Sequence, residues 1–103
     1  MKPVFINFTD ANGKKTKTYT TCSLKTGMMD NIFDIAERAE SLQKETPSIA
    51  DVRGFYRDLR AIIVAAFGRQ FTYDELNEGV ENDELLKVFQ KLCENVMGGV
   101  RKN

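Results

Sequence analysis

Residues Phe67 to Gly99 read FGRQFTYDELNEGVENDELLKVFQKLCENVMGG, and this stretch decides the fold class. Gly68 follows an apolar run, in the position of a glycine that ends a helix. Thr72 and Glu75 have the T-x-x-E spacing of a capping box, in which each side chain accepts a backbone N–H of the other residue. The stretch therefore predicts the end of one helix, a cap and the start of a short acidic helix.

The residues on either side extend this helical pattern. A main helix is expected from about Asp83 to Met97, because its apolar residues share one face, and Gly98-Gly99 are expected to end it. Upstream, apolar residues at helical spacing predict one helix from Gly27 to about Glu45. Another is expected after the break at Thr46-Pro47-Ser48, and it extends to Phe67.

The N-terminal part predicts two strands instead. Residues 3–9 and 16–22 are rich in β-branched and aromatic side chains, and they flank Asn12-Gly13, a pair that tolerates the positive φ of a hairpin turn. We therefore predict a mainly α (α+β) fold in a single domain over residues 1–103. A β-hairpin (1–25) precedes a bundle of three main helices and one short acidic helix (26–99), and residues 100–103 are expected to fray.

Composition argues against several classes of protein. Fifteen basic and fifteen acidic residues give no net charge, which is unlike a nucleic-acid-binding domain. No apolar run has the roughly 20 residues that a membrane-spanning helix needs, and we expect a cytoplasmic protein. Cys22 and Cys93 are far apart and form no C-x-x-C pair, so we expect two reduced thiols and no disulfide.

No residue set for catalysis or for a cofactor is found in the sequence. The chain has no histidine, which removes the commonest general base near neutral pH. Gly13-Lys14-Lys15-Thr16 resembles only the end of a phosphate-binding loop and lies between two strands. The segment from Glu78 to Asp83 lacks the alternating ligands of an EF-hand. We therefore predict a protein that is not an enzyme and holds neither a metal nor a cofactor.

Charges are unevenly distributed along the chain. Residues 1–25 have a balance of +4, whereas residues 73–84 have a balance of −6. One interpretation is a solvated acidic helix next to a strand edge that lysines protect. The other is a pair of complementary patches that join one subunit to the next. The candidate interface residues from these charges and from the exposed side of the first strand are Phe5, Lys14, Lys15, Lys17, Glu75 and Glu78.

Apolar residues near helix ends also leave two alternatives. They form either a corner of the core with a hydrophobic staple across the cap, or an adaptable groove for apolar helical segments of a partner. The candidates for such a groove are Met28, Met29, Phe71 and Tyr73.

Several elements resemble one known family. They are the first strand with Gly13-Lys14-Lys15-Thr16-Lys17-Thr18-Tyr19, the apolar helix ending at Ala66-Phe67-Gly68, the block Gln70–Leu76 with Gly79, and Val96-Met97-Gly98-Gly99. In this order they resemble the tail assembly chaperones of long non-contractile-tailed phages and prophages of Gram-positive bacteria. The element that resembles the family most closely is Q-F-T-x-D-E-L followed by a glycine.

The resemblance implies a function in virion morphogenesis. Such a chaperone coats the tape measure protein, a long and largely helical apolar chain, in the host cytoplasm and is not expected in the mature virion. It self-associates, and many family members also exist in a longer frameshifted form that recruits the tail tube protein. The alternative hypothesis is a small phage adaptor or regulatory protein that binds a host protein.

Overall fold

The computed structural model describes residues 3–21, 24–44 and 46–101. Strands β1 (Phe5–Thr9) and β2 (Lys15–Thr20) form an antiparallel hairpin, and they precede helices α1 (Thr26–Lys44), α2 (Ile49–Ala66), α3 (Tyr73–Gly79) and α4 (Asn82–Arg101). Helices α3 and α4 pack on β1, and α2 touches the other three helices. The mainly α (α+β) prediction, with its N-terminal hairpin and one short helix, is confirmed.

The hairpin turn forms at Asn12-Gly13 as predicted. Gly13 has a φ of +80°, and the Asp10 carboxylate accepts the backbone N–H groups of Asn12 and Lys14 at 2.9 and 3.0 Å. These bonds replace the ladder hydrogen bonds that the turn cannot make. Both strands are shorter than the predicted 3–9 and 16–22, and Cys22 lies outside the described residues.

The inner face of β1 joins the hairpin to the helices. Val4, Ile6 and Phe8 are buried, whereas Phe5 points away and is 54% exposed, because successive side chains of a strand alternate between faces. On the inner side Phe8 is close to Gly79 at the end of α3, and a Cβ at Gly79 would lie 2.6 Å from the Phe8 ring. The absence of a side chain at Gly79 therefore lets α3 approach the sheet.

The predicted breaks between helices are confirmed. Ser48 and Asp51 form a capping box at the start of α2, and Thr72 and Glu75 form another at the start of α3. The end of α2 is a Schellman motif, because Gly68 has a φ of +67° and its N–H donates to Ala65 while the N–H of Arg69 donates to Val64.

The predicted end of the last helix is wrong. Helix α4 continues through Gly98-Gly99 to Arg101, so Val100 and Arg101 are helical, whereas residues 102–103 lie outside the described part of the chain. A glycine ends a helix when it adopts a positive φ, and neither Gly98 nor Gly99 does so. Without that geometry, glycine only lowers helix propensity, and the buried Leu92 and Val96 hold this helix against the core.

Candidate functional site

The lysines of the hairpin are exposed but do not form one flat patch. Lys14, Lys15 and Lys17 are all exposed. Lys17 pairs with the inward-facing Phe8, and a register shift then pairs Lys15 with Thr9. Because neighbouring residues of β1 face opposite sides of the sheet, this bulge directs Lys15 and Lys17 to opposite faces. The predicted basic patch is therefore divided between the two sides of the hairpin.

Part of the acidic segment is engaged inside the subunit. Glu84 Oε2 accepts the backbone N–H of Asn7 at 3.0 Å and the Asn7 side-chain amide at 3.2 Å, which ties the first turn of α4 to β1. Glu75 accepts the N–H of Thr72 at 2.9 Å. A Cβ at Gly13 would lie 3.7 Å from Glu81 Oε1, so this carboxylate is close to the hairpin turn. The hairpin and the acidic segment are thus neighbours within one chain.

The apolar candidates divide between the core and the surface. Phe71 is 2% exposed, and its ring lies 5.0 Å from Phe8, 5.1 Å from Tyr19 and 5.6 Å from Phe67, measured between centroids. It precedes the cap of α3 and forms the staple with Leu76, which is also buried. In this fold Phe71 therefore belongs to a packed corner, and its side chain is not available to a partner.

The other apolar candidates are more accessible. Met28 and Met29 are half-buried at the start of α1 and pack against the core. The hydroxyl of Tyr73 accepts a hydrogen bond from Arg60 Nη1 at 3.2 Å, which fixes this half-buried ring between α2 and α3. Among the ten candidate residues, Phe5, the three lysines and Glu78 are exposed and make no side-chain hydrogen bond within the described residues.

Charged residues on α1 and α2 were missed as site candidates. The sequence patterns above did not single out Arg53, Arg57 and Arg60. In the structure they share a side of α2 that is turned away from the core, and a set of carboxylates has the same spacing on α1. The signal that could have found them is the i, i+4, i+7 repeat of like charges, read helix by helix.

The thiol of Cys93 is held in its less reactive, protonated form. Cys93 is half-buried, and burial, followed by the nearby Glu94 carboxylate, raises the pKa of its thiol to about 11, so the thiol is protonated near neutral pH and a poor nucleophile. In the described parts of the chain, no group of three or more histidine, cysteine or acidic side chains is arranged to hold a metal ion. None of the described helices is long and apolar enough to cross a membrane.

Comparison with known proteins identifies the family. The model of a family described as "Phage tail chaperone protein" matches residues 1–103, the full length of the sequence. No curated protein and no solved structure matches the chain. The resemblance seen in the sequence elements is therefore confirmed at the level of the family, and this chain belongs to the phage tail chaperones.

Proposed function

We propose that this chaperone coats the tape measure protein in the host cytoplasm and keeps it soluble until tail tube subunits replace it. The observation that carries the proposal is the family match over residues 1–103. The proposal extends the family function to one client, a long and largely helical apolar chain of the kind found in long non-contractile tails. Such a client exposes apolar surface along its whole length and would aggregate without a cover.

Small subunits with many weak contacts suit this task. Each copy need bind its stretch of the client only weakly, because many copies on one long chain give avidity and each copy can still be displaced by a tube subunit. In this proposal, tube subunits are recruited by a longer frameshifted form, and the chaperone is absent from the mature virion.

The exposed Phe5 is the best candidate for an apolar contact with the client. It lies on the outer face of β1 and is 54% exposed, whereas Val4, Ile6 and Phe8 on the inner face are buried. The half-buried Met28 and Met29 add flexible apolar side chains, which adapt to clients of varied sequence. Exposed Lys14, Lys15, Lys17 and Glu78 would contribute charge contacts that a competing tube subunit can break.

Co-expression with the tape measure protein tests the proposal. The chaperone should move the tape measure protein from the insoluble to the soluble fraction. Phe5→Thr should reduce the soluble fraction severalfold, because threonine keeps the strand propensity but loses the ring. Ile49→Thr is the matched control, since Ile49 is 79% exposed on α2, distant in sequence from the hairpin.

Two outcomes would contradict parts of the proposal. If the wild-type chaperone leaves the tape measure protein in the pellet, the client is wrong, and binding to a host protein becomes the better hypothesis. If Ile49→Thr reduces solubility as much as Phe5→Thr, the contact surface is not the outer face of the hairpin.

A further inference from the structure

The outward sides of α1 and α2 have the same pattern of side chains with opposite charge. The acidic stripe of α1 consists of Asp30, Phe33, Asp34 and Glu37. The arginine stripe of α2 consists of Arg53, Tyr56, Arg57 and Arg60. In both, positions i, i+4 and i+7 are charged and position i+3 is aromatic. These positions share one side of a helix, so each stripe is continuous over about two turns.

Both stripes are accessible and carry a partly exposed ring. The three carboxylates of the acidic stripe are exposed, as are Arg53 and Arg57, whereas Arg60 is half-buried. The rings of Phe33 and Tyr56 are half-buried, and Tyr56 is held by an edge-on contact with Phe55 at 5.3 Å between centroids. A supported aromatic ring with charges around it is typical of the centre and rim of a protein interface.

Within the described part of the chain, the charges of the two stripes form no ion pairs. Where α1 and α2 meet, the described residues form one salt bridge, between Arg38 and Asp58, and there the base is on α1 and the acid on α2. Asp30, Asp34, Arg53 and Arg57 make neither a salt bridge nor a side-chain hydrogen bond within the described ranges 3–21, 24–44 and 46–101. Apart from the hydrogen bond from Arg60 to Tyr73, the charges of the two complementary stripes therefore have no partners among the described residues.

We infer that the acidic stripe of one copy of this chain binds the arginine stripe of the next copy. With the two helices parallel, Asp30 meets Arg53 and Glu37 meets Arg60, and the rings of Phe33 and Tyr56 meet between these two pairs. Asp34 and Arg57 lie along the edges of the same contact and add attraction across it. Complementary charge at equal spacing is the reason to name a second copy as the occupant. Because this contact joins two different faces, each pair of copies still has one free acidic stripe and one free arginine stripe. Further copies can therefore add, and they form a ring or an open helix.

This contact deepens the proposed coating of a long client and rests on that proposal for its biological meaning. It also differs from the head-to-tail contact between the hairpin and the acidic segment that the charge totals suggested. Those two regions are already neighbours in one subunit, through Glu84 with Asn7 and through Glu81 beside Gly13. The hairpin lysines therefore remain candidates for the client or for tube protein, and the stripes serve contact between copies.

Sedimentation of charge-reversed variants without the tape measure protein tests the inference. Asp30→Lys/Asp34→Lys makes both stripes basic, and Arg53→Glu/Arg57→Glu makes both stripes acidic. Each variant alone should self-associate at least about tenfold more weakly than wild type, because reversing two charges of one stripe turns attraction across the contact into repulsion. An equimolar mixture should associate again, since the reversed stripe of each variant complements the reversed stripe of the other.

Matched controls have the same change in net charge at other sites. Lys14→Glu/Lys15→Glu and Asp74→Lys/Glu78→Lys reverse charges in the hairpin and the acidic segment, and both should sediment as wild type does. Arg60 is left unchanged because it holds Tyr73. Far-UV circular dichroism confirms that each variant is folded, which is expected because all the reversed side chains are exposed.

Several results would overturn the inference. They are a monomeric wild type, association that does not weaken as salt is raised, stripe variants that sediment as wild type, and a mixture that stays monomeric. Loss of association in the hairpin controls alone would place the contact there instead. If the stripe variants fail these tests while the wild-type chaperone still solubilises the tape measure protein, the inference is wrong and the proposed function stands. If the stripe variants behave as expected while the wild-type chaperone leaves the tape measure protein insoluble, the proposed client is wrong and the contact between copies stands.

Discussion

The hairpin corner and the outer stripes of α1 and α2 use their charges in opposite ways. The hairpin corner consists of β1, β2, α3 and the first turn of α4. There, the carboxylates of Asp10, Glu75 and Glu84 each accept backbone N–H groups of the same chain. On the two stripes, Asp30 and Arg53 have no such partner within the described residues.

The reason for this difference is the supply of backbone donors. Turns, strand edges and the first turn of a helix leave N–H groups without partners, and a nearby carboxylate satisfies them. In the middle of a helix every N–H is already bonded to a carbonyl, so a carboxylate there can bind only another side chain, water or another molecule. A run of acidic residues is thus a weaker sign of a binding surface than fewer charges spaced along one face of a helix.

The largest expected effect is loss of the packed corner. Phe71→Ala should lower the free energy of unfolding by about 3–5 kcal/mol, because it removes a buried ring that contacts three other aromatic rings. Urea denaturation measures the change. Phe5→Ala is the matched control and should cost less than about 1 kcal/mol, since the Phe5 ring is 54% exposed. Equal losses would show that Phe71 is not buried.

A smaller effect is expected where α3 approaches β1. Gly79→Ala should lower the free energy of unfolding by about 1–3 kcal/mol, because its Cβ would lie 2.6 Å from the packed ring of Phe8. Gly98→Ala should instead raise it by about 0.5–1 kcal/mol, because Gly98 is helical and nothing is within 4 Å of its added Cβ. Thermal melts that shift in the same direction for both variants would contradict the close approach at Gly79.

The smallest expected effect on the free energy of unfolding comes from removing one carboxylate from the hairpin corner or from the acidic stripe. Glu84→Ala should lower the free energy of unfolding by about 1 kcal/mol, because Asn7 loses the acceptor of two hydrogen bonds. Asp30→Ala should change it by less than about 0.5 kcal/mol, because the exposed Asp30 side chain makes no ion pair or hydrogen bond within the described residues. Chemical denaturation of both variants at the same ionic strength checks the pair. A larger loss for Asp30→Ala would show that the acidic stripe stabilises the monomer.

Much of the fold could be predicted from short-range patterns. Asn12-Gly13, the Thr72–Glu75 cap and the Gly68 helix end each depend on a few adjacent residues, so the sequence determines them directly. The end of α4 could not be read in this way. Gly98-Gly99 allow a helix to stop but do not require it, and the packing of Leu92 and Val96 keeps this helix continuous.

The candidate site could be predicted only in part. Alternation along a strand and the position of the turn predict which side chains of the hairpin face solvent. The exposed residues are Phe5, Lys14, Lys15 and Lys17. From its residue type alone, Phe71 could equally be an exposed residue that binds a partner. Its contacts with rings from β1, β2 and the end of α2 show that it belongs to the core. No local pattern encodes such contacts.

The sequence by itself therefore determined the order of strands and helices, their caps, and the absence of histidine chemistry, since these depend on residue type and close spacing. Tertiary structure alone decided which charged side chains have a partner within the subunit. It brought Glu84 to Asn7, 77 positions away, and Glu81 next to the hairpin turn, while it left the stripes of α1 and α2 facing outward. The physical reason is that packing sets the distance between residues far apart in the chain, and whether a charge is paired depends on that distance.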